Sequence, residues 1–202
     1  MAQKKMYLTE ERGKVKPVFE ILTEIAVIAA LGLFLAHYLF FSVKTESRSM
    51  EPTIQPDSVV FVNKSGYIFD APKRFDIIAF NRVRGDASSD VLIRRIIALP
   101  GETVRISRGV VYVDGKELDV SGYVSEITSD GIAENTILLS ENEYFVLGDA
   151  PANSEDSRSS TLGPIRKDQI IGRAYLSARS ITDFHLIGRK KKNELKELGD
   201  PL

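Results

Sequence analysis

The sequence predicts a mainly β protein: a single N-terminal transmembrane helix followed by an extracytoplasmic domain of coiled antiparallel β-sheet. Three observations carry this expectation. From Ile25 to Val43 the chain runs for 19 residues without a charge. Beyond Val43 it breaks into short runs rich in β-branched and aromatic residues, separated by turn formers. Outside the apolar run, no segment sustains a 3.6-residue apolar periodicity. A length of 202 residues leaves room for one domain of ordinary size plus an anchor or tail.

The apolar run comes first. As a helix, its 19 residues span roughly 28 Å, close to the hydrocarbon thickness of a bilayer. Only Gly32, His37 and Ser42 interrupt it, so it lacks the polar face of an amphipathic core helix. Its exit, Ser42-Val43-Lys44-Thr45-Glu46, also lacks small residues at the spacing of a signal-peptide cleavage site. Residues 1–18 hold Lys4, Lys5, Arg12, Lys14 and Lys16 against Glu10 and Glu11, a balance of +3, whereas residues 44–58 balance to −1. The positive-inside tendency then puts the N-terminus in the cytoplasm and the bulk of the chain outside. His37 is expected to sit neutral near the outer interface beside Tyr38. The expected division is a cytoplasmic tail over 1–18, a signal-anchor helix over 19–43, a β-rich domain over 44–188 and a charged tail over 189–202.

Strands follow. Ser58 to Asn63 is β-branched and aromatic, and Asp76 to Phe80 reads as a buried strand after Pro72-Lys73-Arg74. Asp90 to Ala98 is a third run, ended by Pro100-Gly101. Thr103 to Ile106 and Val110 to Val113 come next, and Asp114-Gly115 is a strong hairpin signal. Glu143 to Leu147 leads into Gly148-Asp149, and Ile170 to Ser177 supplies a late strand. Arg82 to Asp90 and the polar stretch from Ser121 to Glu134 read as flexible loops. The basic cluster Arg189-Lys190-Lys191-Lys192 opens the solvated tail.

Composition narrows the chemistry. With no cysteine there is no disulfide, thiolate zinc site or cysteine nucleophile. Two histidines, His37 and His185, leave little for a metal centre, and neither metal nor cofactor is expected. A net charge of −1 gives no basic excess for nucleic acid.

Just past the apolar run stands Ser47-Arg48-Ser49-Met50-Glu51-Pro52-Thr53. A serine hydroxyl becomes a nucleophile only when a neighbouring base takes its proton. Pro52 restricts the backbone after Ser49, and Met50 offers an apolar anchor, a setting that can hold one hydroxyl orientation. The Ser47 hydroxyl and the Ser49 backbone N–H could together hold a developing oxyanion.

Three further segments follow in order: Asp76-Ile77-Ile78-Ala79-Phe80, then Arg94-Arg95-Ile96-Ile97-Ala98-Leu99-Pro100-Gly101-Glu102, then Gly148-Asp149 with Asn153-Ser154-Glu155-Asp156-Ser157-Arg158. With the serine loop they resemble the bacterial type I signal peptidases of the membrane-bound, Gram-positive-like kind, from the anchor to about Leu176. The resemblance implies an extracytoplasmic peptidase domain that removes signal peptides from exported preproteins after small residues, in an Ala-x-Ala pattern. Its implied partners are preprotein signal peptides, membrane lipid and the protein export channel. It also implies Ser49 as nucleophile, Ser47 as a partner in the oxyanion hole, and Ser154, Asp156 and Arg158 as side chains that brace the site.

At the position of the family's lysine base stands Arg94, 45 residues after Ser49. Burial can bring a lysine near neutral pKa, but a guanidinium starts above about 12 and stays protonated. Arg94 is therefore expected to hold Ser49 or a substrate carbonyl without taking a proton. A second reading follows: a catalytically impaired homologue acting as an assembly or chaperone partner of exported proteins. The chain departs from the family's pattern elsewhere too. Ala150-Pro151 replaces an Asn-Arg pair, and Phe75 replaces a glycine.

Overall fold

The computed structural model describes residues 19–34, 39–68, 70–83, 89–180 and 182–188. The chain divides into two units, residues 1–39 and 40–202. In the first, residues 19–34 form one helix, α1, about 24 Å long and exposed along its length. Among the described residues no helix is long and apolar enough to cross a membrane.

The helix expected to reach Val43 does not do so. Phe40–Thr45 is instead a strand, β1, in register with β2 (Ser58–Asn63) along its whole length. Phe40-Phe41-Ser42-Val43 is as good a strand sequence as a helix end, and pairing with β2 satisfies its backbone. His37, the N-terminal 18 residues and the tail after Gly188 lie outside the described residues.

The second unit is built of antiparallel strands, as expected. The remaining strands are β3 (Ile77–Val83), β4 (Ser89–Ala98), β5 (Thr103–Ser107), β6 (Val110–Val113), β7 (Lys116–Glu117), β8 (Ile137–Leu138), β9 (Glu143–Leu147), β10 (Ile165–Arg166), β11 (Ile170–Ser180) and β12 (Asp183–Leu186). One sheet has eight strands in the order β1-β2-β11-β3-β4-β9-β10, with β12 on β11; the other has four, β7-β6-β5-β8. All the pairings in both are antiparallel.

The apolar runs are explained by two-sided burial. On β3, Ile77 and Ala79 enter a cluster with Met50, Val60, Val62 and Ile93, while Ile78 and Phe80 enter another with Ile96, Tyr144 and Val146. A strand covered on both faces loses the polar alternation of a surface strand. A third cluster, from Ile97 through Val104 and Ile106 to Phe145 and Leu147, draws on strands of both sheets. The Asp114-Gly115 signal is a tight turn with both residues at positive φ, 49° and 73°.

The stretch from Ser121 to Glu134 is not the loose loop its polarity suggests. Tyr123, Val124, Ile127 and Ala133 are buried in the third cluster, and the Ser125 and Ile132 N–H groups donate to Asp149 and Arg158 carbonyls at 2.8 and 2.9 Å. Four apolar residues at irregular spacing bury without any periodic signature. Of the loop expected over Arg82 to Asp90, the two ends pair across β3 and β4, and residues 84–88 lie outside the described residues.

Candidate active site

Ser49 stands in the turn between β1 and β2. The turn is closed by the Ile54 N–H donating to the Met50 carbonyl at 2.8 Å. Met50 and Ile54 are 3% and 1% exposed and anchor it in the core. Each such side chain contributes about 1.5–3 kcal/mol on burial, enough to hold a short turn in one place. On the far side, the Ala150 N–H donates to the Ser49 carbonyl at 2.9 Å. Gly148 makes that approach possible, because a Cβ there would lie 2.6 Å from the Ser49 carbonyl and 2.3 Å from Ser154 Oγ.

The Ser49 N–H donates to Ser47 Oγ at 3.2 Å, so the two groups expected at an oxyanion are adjacent. Ser49 itself is buried.

β4 carries Arg94 and Arg95, which point to opposite faces as successive strand residues do. Arg94 Nη1 donates to Ser49 Oγ at 2.8 Å and to its neighbour's carbonyl, that of Ile93, at 2.6 Å. Its Nε donates to the Glu155 carbonyl at 2.9 Å. Burial pushes the guanidinium down to about 10, against the opposing pull of the Asp156 and Glu155 carboxylates. At neutral pH it is still a cation, so at Ser49 it is a donor.

Among the described residues Arg94 is the one hydrogen-bond partner of Ser49 Oγ. The other basic groups near in sequence are engaged elsewhere. Lys64 Nζ lies 5.4 Å from the centre of the Phe41 ring, and Lys73 pairs with Asp70. His185 is exposed and bonded to Asp183 at 2.6 Å.

Asp156 and Arg158 form a buried clip. Arg158 Nε and Nη2 donate to the Asp156 carboxylate at 2.8 and 3.0 Å, and Nη2 also reaches the Pro151 carbonyl at 2.7 Å. Asp156 accepts from the Gly148 N–H at 3.2 Å, which ties the clip to the glycine beneath Ser49. Ser154 lies against the same glycine, but its Oγ is buried and unpartnered.

Sequence reasoning missed two groups around this centre. Arg95 makes a buried bidentate ion pair with Asp149 at 2.8 and 2.6 Å, lies 4.5 Å from the Tyr123 ring centre, and donates to the Phe75 carbonyl at 3.0 Å. Thr53 of the serine loop donates to the same carboxylate at 2.5 Å. An arginine inside the apolar run of β4 was the available signal, since such a charge is buried only when paired. The second group is Arg82, which bridges Asp90 at 2.6 Å and Glu155, whose carbonyl holds Arg94. Arg82 and Glu155 are 73 residues apart, and their pairing left no local trace.

The chain also matches known proteins in sequence. Residues 18–178 match the family model described as signal peptidase, peptidase S26. The chain is 35% identical to a probable signal peptidase I-2 of Synechocystis sp., over 86% of this chain and 78% of that one. It is 32% identical to signal peptidase I T of Bacillus subtilis, over 85% and 92%. A solved signal peptidase I from Enterococcus faecalis is 30% identical, covers 52% of this chain and 97% of its own, and has a TM-score of 0.40.

Proposed function

Because the chain belongs to the signal peptidase family, peptidase S26, we propose that it is a signal peptidase-like serine endopeptidase cutting exported preproteins after Ala-x-Ala, with Ser49 as nucleophile. The observation that carries this reading is the buried Ser49 Oγ, 2.8 Å from the side chain at the base position. The Ser47 hydroxyl, which accepts from the Ser49 N–H and keeps its own hydrogen, would donate to the oxyanion, and the Asp156–Arg158 clip would hold the loop under Ser49. β1, an edge strand that ends four residues before Ser49, offers an extended peptide a backbone to pair with. The proposal places the protein in the cell membrane as a single-pass chain. Its anchor ends before Phe40, its N-terminus is cytoplasmic and its β domain lies outside, near lipid and the export channel.

Attack by Ser49 forms a bond from Oγ to the scissile carbonyl carbon, and the hydroxyl proton must leave. The departing amine must then gain a proton. Burial lowers the Arg94 guanidinium to about 10, which leaves it a cation at pH 7 that does not take that proton. Turnover by the parent at pH 7 is therefore expected to fall far below that of an Arg94→Lys variant, whose amine burial can bring toward neutrality.

A second reading is favoured by the direction of one bond: Arg94 donates to Ser49 Oγ rather than accepting from it. On that reading the groove binds exported proteins without cutting them, as an assembly or chaperone partner. Incubation of the detergent-solubilised chain, its Arg94→Lys and its Ser49→Ala variants with an Ala-x-Ala preprotein decides between the two. Cleavage by the parent, lost in Ser49→Ala, supports the peptidase. Cleavage only by Arg94→Lys supports a competent fold that lacks its base and leaves the binding role. Cleavage by neither removes the peptidase reading.

A further inference from the structure

Three arginines among the described residues are buried: Arg94, Arg95 and Arg158. Arg95 closes an ion pair with Asp149 and Arg158 one with Asp156. Arg94, 4% exposed, closes none among the described residues. A guanidinium removed from water without a counter-ion is costly, and native folds tolerate it where something else supplies the negative charge.

The donors point the same way. Of the five N–H groups of Arg94, Nε is used on Glu155 and Nη1 on Ser49 and Ile93. Nη2 has no hydrogen-bond partner among the described residues. The Ser49 hydroxyl accepts from Arg94, which leaves its own hydrogen to donate. The site thus offers a cation that Asp156 and Glu155 offset only from beyond ion-pair distance, with the two Nη2 hydrogens and the Ser49 hydroxyl hydrogen unspent beside it, where a scissile carbonyl would lie.

We infer that Ser49 and Arg94 form a carboxylate site that binds a peptide ending in a small residue with a free α-carboxylate, the amino-side product of signal-peptide cleavage. The inference rests on the peptide-binding reading above. An α-carboxyl is ionised at neutral pH, and guanidinium–carboxylate hydrogen bonds are about twice as strong as neutral ones. A lysine that must be neutral to serve as base would hold such a product weakly. A permanent cation holds it well. The substitution at position 94 therefore changes what the groove prefers, from an internal peptide bond toward a finished chain end. In the peptidase reading this is retention of the product; in the binding reading it is recognition of already cleaved signal peptides.

The test needs no variant at its first step. A fluorescent peptide ending in Ala-x-Ala is titrated with the full detergent-solubilised chain at pH 7, once as the free acid and once as the C-terminal amide. The acid is expected to bind at least about tenfold more tightly. Arg94→Gln, checked for an unchanged unfolding midpoint, is expected to equalise the two. Equal affinity of acid and amide for the parent overturns the carboxylate site and leaves peptide binding standing. Displacement of the acid by acetate or inorganic phosphate as readily as by unlabelled peptide also overturns it, since the site would then take any anion. Binding of neither peptide removes the inference together with the reading it rests on.

Discussion

Phe75 stands at φ = 67°, the left-handed region that a side chain with Cβ enters at a cost. The resemblance places a glycine there, and the structure supplies the reason: the chain must reverse before Asp76 so that the Phe75 N–H can donate to the Ile96 carbonyl at 2.8 Å. The phenylalanine is kept by its ring, stacked on Tyr123 at 4.6 Å between centroids. Two substitutions separate these terms. Phe75→Ala keeps the strained backbone and loses the stack; Phe75→Gly loses the stack and relieves the strain. Alanine is therefore expected to be the more destabilising, by about 1 kcal/mol, in denaturant unfolding of the detergent-solubilised chain. At this scale the sequence was partly legible. The serine loop, Arg94 and the Asp156–Arg158 clip carry their spacing in the chain. By contrast, the positive φ at Phe75 and the pairing of Arg95 with Asp149 depend on contacts across the fold.

Among the elements, β3, β4 and β9 were legible because two-sided burial writes continuous apolar runs, and β2, β5 and β6 because β-branched residues alternate there between buried and partly exposed positions. β1 was hidden because its Phe-Phe-Ser-Val continues the apolar run before it, and a short apolar run does not distinguish helix from strand. The two-residue strands β8 and β10 are too short to leave any pattern. Links between elements are less legible still, and Arg82 is the clearest case. It sits on β3, pairs with Asp90 on β4, and reaches Glu155 beside the clip. The Thr161 hydroxyl, and then Arg82, hold the Glu155 carboxyl below the ordinary glutamate range. A depressed carboxylate stabilises the fold above its unfolded pKa, about 4.3, and that contribution disappears as pH falls through the folded value. Glu155 and Asp90 keep 40% and 41% side-chain exposure, so solvent screening holds the contribution of the links to under about 1 kcal/mol. Arg82→Met is expected to lower stability by that amount at pH 7 and to lie closer to the parent at pH 3. Urea midpoints at the two pH values check it.

At the scale of the whole molecule, two adjacent arginines on one strand divide between fold and function. Arg95 joins the serine loop through Thr53, the loop after β9 through Asp149, the carbonyl of Phe75, and the carbonyl of Gly188 at 3.4 Å. Removing it by Arg95→Met leaves the Asp149 carboxylate, 0% exposed, without its counter-ion. Breaking a buried pair from one side costs about 3–5 kcal/mol. That is a large share of the roughly 5–15 kcal/mol that holds an ordinary domain together. Arg94→Met forfeits three hydrogen bonds but also removes a buried cation that has no ion-pair partner among the described residues. The two terms oppose each other, and the expected change is within about 1 kcal/mol. Urea unfolding of the two single variants therefore gives opposite answers at neighbouring positions: a midpoint far below the parent's for Arg95→Met, and one close to it for Arg94→Met. The double change Arg95→Met with Asp149→Leu is expected to recover most of the loss, because it removes both charges together. If Arg94→Met proves as damaging as Arg95→Met, Arg94 is a structural residue of the domain. Its unspent donor would then no longer point to a ligand.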